Sequence, residues 1–218
     1  MLQISEIDFP GYKAQSTLGT FFQHETPANH LAVIFPGYGY TCDRALLHYP
    51  MQMLLAQGAD VLQVKYEFSN KPGFWQSGDQ TRALWFGTDA LAAMRTVLAK
   101  GDYQQITMVG KSLGTVAVGH VATILPHLAQ LRGVMLTPLL KNPGLVQQIK
   151  SFNGELMLVV GTGDSLHDPA VMEEVRAVRK VEVMEVDGGD HSLENKEDVM
   201  GSLDTLKWIM QGVKDFLE

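Results

Sequence analysis

The chain has one cysteine, Cys42, in 218 residues. A lone thiol excludes an internal disulfide and a cysteine-rich metal site, and it fits a reducing compartment. There is no apolar run of membrane-spanning length, and residues 1–10 carry Glu6 and Asp8 where a secretory leader would be apolar. The expected location is the cytoplasm. Basic charge is scarce: 17 Lys and Arg stand against 24 Asp and Glu, a net charge of −7. That balance disfavours nucleic acid and anionic membrane surfaces as partners. Low-complexity tracts, repeats of solenoid period, His-x-x-x-His pairs and clustered carboxylates are missing too, so neither a metal nor a cofactor is expected.

What remains is 45% hydrophobic and 19% charged, the composition of an ordinary globular protein. At roughly 150 residues per domain, the length predicts a single domain over 1–218 with a substantial core. Short apolar or alternating segments at 2–9 and 16–24, split by Gly11, predict an antiparallel pair at a sheet edge. A continuous apolar run at 31–35 predicts a strand covered on both faces, 106–109 and 133–137 read as buried strands, and 61–68, 155–160 and 181–186 read as further strands. Between them, helical spacing predicts helices over 45–57, 82–100, 113–125, 145–152, 169–180 and 197–216. On the second of these, Leu84, Ala90, Leu91, Met94 and Leu98 form the expected apolar side, and Pro126 is expected to check the third. Strands alternating with helices predict an α/β fold, a mostly parallel sheet with ligands bound at the carboxyl ends of its strands.

One stretch organises the rest. Ile106-Thr107-Met108-Val109 reads as a strand, Gly110-Lys111-Ser112-Leu113-Gly114 as a tight turn, and Thr115-Val116-Ala117-Val118-Gly119 as the start of a helix of small residues. A chain that passes from strand to helix almost without a loop has no room for side chains at Gly110 and Gly114, which accounts for the G-x-S-x-G spacing. Such a turn pushes the Ser112 hydroxyl out at the sheet's carboxyl end, facing the positive end of a helix. A serine so placed can be a nucleophile, whereas the bare pentapeptide could also be a glycine-rich turn with a surface serine. Lys111 before Ser112 hints at phosphate binding, yet the spacing back to another glycine that a P-loop needs fails.

A nucleophilic serine needs a base. His191 sits in the glycine-rich Gly188-Gly189-Asp190-His191 after a strand, from where an imidazole can reach across the sheet. His24, His30, His48, His120 and His127 suit structural or solvent-facing roles, and His167 is a rival that could line the pocket. Three carboxylates lie near: Asp164, after Gly161-Thr162-Gly163; Asp168, which with Pro169 has the pattern of a helix N-cap; and Asp190, too close in sequence to fold back onto the neighbouring ring.

Ser112, Asp164 and His191 occur in the order serine, acid, histidine, each after a strand. With this order, the G-x-S-x-G turn and the Gly188-Gly189-Asp190-His191-Ser192-Leu193 ending, the chain resembles the α/β-hydrolase superfamily, from the strand at Leu31 to the final helix. Its compact size is similar to that of the lid-less dienelactone-hydrolase-like proteins and small carboxylesterases. The resemblance implies an α/β-hydrolase fold without a sizeable lid domain, since only residues 138–154 separate two core strands where relatives insert one. It implies Ser112 as nucleophile, His191 as proton shuttle and Asp164, by the family's glycine-to-acid spacing, as the orienting acid. It implies an oxyanion hole from the amides of Tyr38 and Leu113, although the family often has His-Gly where this chain has Pro36-Gly37. The expected substrate is a small carboxylic ester or thioester, cleaved through an acyl-enzyme in an open site walled by Tyr38, Tyr40, Phe74 and Trp75. A non-catalytic hydrolase-like binding module, or an acyltransferase using the same triad, are the alternatives. Cys42, lacking such a turn and a base, is read as a buried structural thiol.

Overall fold

Leu31, Ala32, Val33, Ile34 and Phe35 are fully buried, as a strand covered on both faces must be. They form β3 (His30–Phe35), flanked in parallel by β4 (Asp60–Lys65) and β5 (Gln105–Lys111). The computed structural model describes residues 1–66, 68, 71–125 and 130–218, with Asp79 described by its backbone. Around β3 lie β1 (Leu2–Pro10), β2 (Ser16–His24), β6 (Gln130–Leu136), β7 (Glu155–Gly161) and β8 (Val181–Val186). Together they make one sheet in the order β1-β2-β4-β3-β5-β6-β7-β8. The β1–β2 hairpin is antiparallel and joins β4 in antiparallel register, whereas β4 through β8 run parallel to one another.

The helices are α1 (Ala45–Ala56), α2 (Asp79–Leu98), α3 (Leu113–Ile124), α4 (Pro143–Lys150), α5 (Pro169–Arg176) and α6 (Val199–Leu217). The two-residue period of a strand divides them into two layers. Leu31, Val33 and Phe35 of β3 belong to one apolar layer with Met94 of α2, Val118 of α3, Ile149 of α4 and Val175 of α5. Ala32 and Ile34 point the other way, to Leu47 and Leu54 of α1 and Ile209 and Val213 of α6. Among the described residues no helix is long and apolar enough to cross a membrane.

From β3 the chain moves outward to β4, then crosses back to β5 on the other side of β3. The sheet thus reverses direction between β3 and β5, and the loops leaving their carboxyl ends diverge to leave a crevice. The loop after β3 is 36–40, and the residue after β5 is Ser112. Topology alone therefore brings the two segments side by side.

Several boundaries differ from expectation. β4 ends at Lys65 instead of continuing to 68, and α2 begins at Asp79, three residues before Arg82. On α2 the buried side carries Trp85, Phe86, Ala90, Ala93, Met94 and Val97, while Leu84 is 57% exposed. Ala83-Leu84-Trp85-Phe86 is too wide an apolar arc for one helix face, and the larger aromatic surfaces take the core. α5 stops at Arg176, short of 180, and α4 spans 143–150 because the Asn142 side chain caps it, accepting from the amides of Gly144 and Leu145 ahead of the expected start. Pro126 and His127 lie outside the described residues.

One buried polar cluster ties the aromatic segment after β4 to this frame. Asp89 of α2 is completely buried and accepts from the Tyr12 amide at 2.7 Å, from Thr17 Oγ1 at 3.1 Å and from Lys71 Nζ. Lys71 also donates to Thr17 Oγ1. The β1–β2 hairpin, α2 and the start of the segment bearing Phe74 and Trp75 thus meet at one carboxylate.

Candidate active site

Gly110 and Gly114 show why the turn after β5 has its spacing. A methyl group on Gly114 would lie 2.1 Å from the carbonyl oxygen of Phe35, and one on Gly110 would lie 2.4 Å from that of Gly114. Ser112 between them has φ 53° and ψ −114°, a conformation that costs a non-glycine residue about 1–3 kcal/mol. Its amide donates to Leu136 of β6 at 2.9 Å, and its carbonyl accepts from the amide of Thr115 at 2.9 Å and the hydroxyl of Thr115 at 2.6 Å. The side chain is left to project at the sheet's carboxyl edge.

Two glycine-rich loops bring the other groups to it. A methyl group on Gly161, at the end of β7, would lie 2.1 Å from the carbonyl oxygen of Gly189, so the loop after β7 packs directly on the loop after β8. There the His191 Nε2 lies 2.8 Å from Ser112 Oγ and Nδ1 lies 2.6 Å from Asp164 Oδ2. With its proton on Nδ1, the imidazole donates to Asp164 and accepts from the serine hydroxyl. Asp164 is 8% exposed, and its Oδ1 accepts from the Leu166 amide at 2.9 Å. The rival carboxylates have other partners. Asp168 caps α5 through the amides of Ala170 and Val171, and Asp190 accepts from the amides of Ser192 and Glu194 inside its own loop.

Among the described residues the other histidines lie elsewhere. His167 points towards Glu185 of β8, 3.5 Å away, and His24 lies 3.4 Å from Asp60. The His30 ring meets Thr107 at 2.9 Å, the His48 ring packs on Tyr49, and His120 covers Gly87 of α2.

The loop after β3 closes on the opposite side of Ser112. Gly37 and Tyr40 exchange backbone hydrogen bonds at 3.1 and 3.4 Å around Gly39, whose φ of 67° suits only glycine comfortably. The Tyr38 amide is left at the tip of this turn. The Leu113 amide opens α3 and has no carbonyl in its own helix to bond. A methyl group on Gly37 would lie 3.4 Å from Ser112 Cβ, so this turn packs against the serine.

Beside them is a cavity of about 280 Å³ lined by Tyr38, Phe68, Phe74, Trp75, Phe86 and Leu113, with Val116 and Leu139 among its other walls. Tyr38 meets Trp75 edge to face at 5.3 Å, and Phe74 stacks on Phe68 at 4.3 Å. Phe74 is 4% exposed and lines the inside of this cavity. Tyr40 departs from the expected arrangement. The turn at Gly39 sends it to the other side, where its hydroxyl accepts from the Leu46 amide at 3.1 Å and its ring lines a separate cavity with Leu193 and Leu206. The reason is an unfilled backbone donor: Arg44 offers α1 no side-chain cap, and the phenol takes that place. A further cavity of about 340 Å³ lies at the amino ends of the strands, among His30, Gln105, Thr107 and Arg132, far from any nucleophile paired with a base.

No protein-family model matches the sequence, and neither does any curated protein. Solved structures do match the fold. A protein of unknown function from Agrobacterium tumefaciens, described as a candidate alpha/beta hydrolase, superimposes with a TM-score of 0.76 at 14% identity, covering 98% of this chain and 94% of its own. An esterase from Pyrococcus furiosus gives 0.71 at 13%, covering 99% and 92%. An alpha/beta serine hydrolase without lid from Xanthomonas campestris gives 0.70 at 12%, covering 98% and 95%. The chain has the α/β-hydrolase fold.

This α/β-hydrolase fold carries little between β6 and β7, where the connection holds α4 and no inserted domain. Two features of the site leave little local trace in the sequence. Phe68, Phe86, Val116 and Leu139 join the cavity from four separate elements, which local spacing does not reveal. Lys111 is 3% exposed and donates to the His191 carbonyl at 2.8 Å. Burial lowers its ammonium to about 8, against the opposing pull of Asp164 and Asp190. The only outward sign of this in the sequence is a lysine inside the G-x-S-x-G turn. Cys42 is buried against the carbonyls of Ile34 and Val64, and burial pushes its thiol up to about 12. Iodoacetamide near neutral pH is therefore expected to leave Cys42 unmodified in the folded protein and to alkylate it in urea, as read by intact mass.

Proposed function

We propose that this protein is a serine esterase cleaving a small carboxylic ester or thioester through an acyl-enzyme. The observation that carries the reading is the unbroken chain from Asp164 through His191 to Ser112, with contacts of 2.6 and 2.8 Å. In this reading Ser112 Oγ attacks the acyl carbonyl while Nε2 of His191 takes its proton. Asp164 holds the resulting imidazolium without taking the proton itself. The Tyr38 and Leu113 amides meet the developing oxyanion, and being fixed backbone donors they need no reorganisation as charge appears. Nε2 then returns the proton to the departing alcohol or thiol. Water, deprotonated by the same nitrogen, releases the acid and restores the serine. The Pyrococcus furiosus neighbour, an esterase, agrees with this chemistry.

The aromatic cavity suits the acyl side, because it adjoins Tyr38 and Leu113 and offers chiefly apolar walls. Its inner walls, Phe68 and Phe86, are 4% and 2% exposed, so a long chain would meet packed rings. A panel of p-nitrophenyl esters tests this. Acetate and butyrate esters are expected to give higher kcat/KM than the palmitate ester, and Trp75→Ala is expected to raise KM more than it lowers kcat. Absence of hydrolysis across the panel would overturn the esterase reading, and a clear preference for palmitate would overturn the acyl assignment of the cavity.

A further inference from the structure

The imidazole of His191 is carried by a loop in which Gly188 and Leu193 take positive φ, 65° and 61°. No strand or helix ladder supports this segment, so the position of the ring depends on what restrains the loop. One restraint is internal: Asp190 Oδ1 accepts from the amides of Ser192 and Glu194 at 2.7 and 3.2 Å. The loop after β7 holds its start, through the Gly163 amide to the Gly189 carbonyl at 3.0 Å and the Gly188 amide to Thr162 Oγ1 at 2.7 Å, and at the histidine itself Lys111 Nζ donates to the carbonyl of His191 at 2.8 Å. Lysine is rarely buried so fully without a charged partner in direct contact. The direct acceptor of Lys111 is a neutral carbonyl, with Asp164 and Asp190 acting at longer range and the Tyr40 ring facing the ammonium at 4.9 Å. An apolar residue would satisfy this position with less desolvation, which directs attention to what the ammonium holds.

We propose that Lys111 is a positioning residue: by fixing the His191 backbone, its ammonium keeps the imidazole in line between Asp164 and Ser112. The proposal rests on the reading of Ser112 and His191 as nucleophile and base. Lys111 is the last residue of β5 and Ser112 is the next. The same rigid strand end thus carries the nucleophile and reaches the base from below. The bond of Lys111 is to the backbone of the base, so its effect passes through His191. A displacement of about 1 Å in such a group can cost about a hundredfold in rate.

The test compares Lys111→Met, which keeps the stem and removes the donor, with Lys111→Gln, which keeps a neutral donor, each assayed well below its own melting temperature. Lys111→Met is expected to lower kcat on p-nitrophenyl acetate about 10- to 100-fold with KM little changed, and Lys111→Gln to recover part of the loss. The rate of fluorophosphonate labelling of Ser112 is expected to fall in parallel. Amide exchange over 188–194 is expected to speed up in Lys111→Met and not elsewhere. In the unmodified protein kcat is expected to decline as pH rises through about 8, where the ammonium loses its charge and the bond to the His191 carbonyl weakens, and Lys111→Met is expected to lack that alkaline limb. Unchanged kcat, or unchanged exchange over 188–194, overturns the proposal. The exchange measurement does not depend on activity. An unmodified protein that neither hydrolyses the ester nor takes the label would instead overturn the esterase reading.

Discussion

Ser112→Ala is expected to lower kcat for p-nitrophenyl acetate by on the order of a million-fold and to abolish labelling by a fluorophosphonate probe. In the proposed mechanism the serine oxygen forms the acyl bond, and His191 and Asp164 have nothing to activate once it is gone. Residual turnover would come from the amides of Tyr38 and Leu113 and from binding alone. His191→Ala is expected to be nearly as damaging, and the double variant hardly worse than either, because the groups act as a unit. Among the described residues the side chain of Ser112 makes no hydrogen bond except that to His191, so the circular-dichroism spectrum of the alanine variant should match that of the unmodified protein. Labelling that persists in Ser112→Ala, or a loss of less than about a hundredfold, would place the chemistry at another residue. This measurement also separates an esterase from a non-catalytic module of the same fold, which would show no labelling to lose.

Asp89→Ala is expected to give the largest loss of stability. The variant leaves the Lys71 ammonium, 5% exposed in its side chain, without its counter-charge, and it removes the acceptor for the Tyr12 amide and the Thr17 hydroxyl. Breaking one side of a buried pair typically costs about 3–5 kcal/mol. For a chain of this size each kcal/mol lowers Tm by about 2–4 °C, so a drop of about 6–20 °C is expected in a thermal melt. The damage comes chiefly from the stranded charge. A double variant, Lys71→Met with Asp89→Leu, is therefore expected to recover much of the loss. A single variant that melts within about 1 °C of the unmodified protein would mean that Lys71 reaches water readily. Because Lys71 begins the segment that carries Phe74 and Trp75, KM for short esters should rise in Asp89→Ala even well below its Tm.

Much of this molecule is legible in its sequence, for local reasons. Apolar runs such as 31–35 mark buried strands because a strand covered on both faces tolerates nothing else. The G-x-S-x-G turn is legible because backbone at Gly110 and Gly114 excludes every larger residue. Asp168 with Pro169 announces a helix start because a cap and its helix lie within one turn. Where the reading failed, a non-local competition decided. Leu84 lost the core to Trp85 and Phe86, since the layer opposite α2 accommodates rings and not all of a wide apolar arc. Tyr40 was drawn across its turn by an unfilled amide at the start of α1.

The sequence by itself determined the alternation of strands and helices, the tight turn around Ser112, and a set of candidate groups at strand ends. Each of these rests on contacts between residues close in the chain. Tertiary structure alone decided that Asp164, His191 and Ser112 meet within 2.6 and 2.8 Å, although 27 and 79 residues separate the members of each pair. It also decided that Lys111 is buried beneath the base, 80 residues away along the chain. The reversal of strand order between β3 and β5 and the packing of one glycine-rich loop on another bring them together. Such distances are set by the register and twist of the whole sheet, and no local pattern of residue types encodes them.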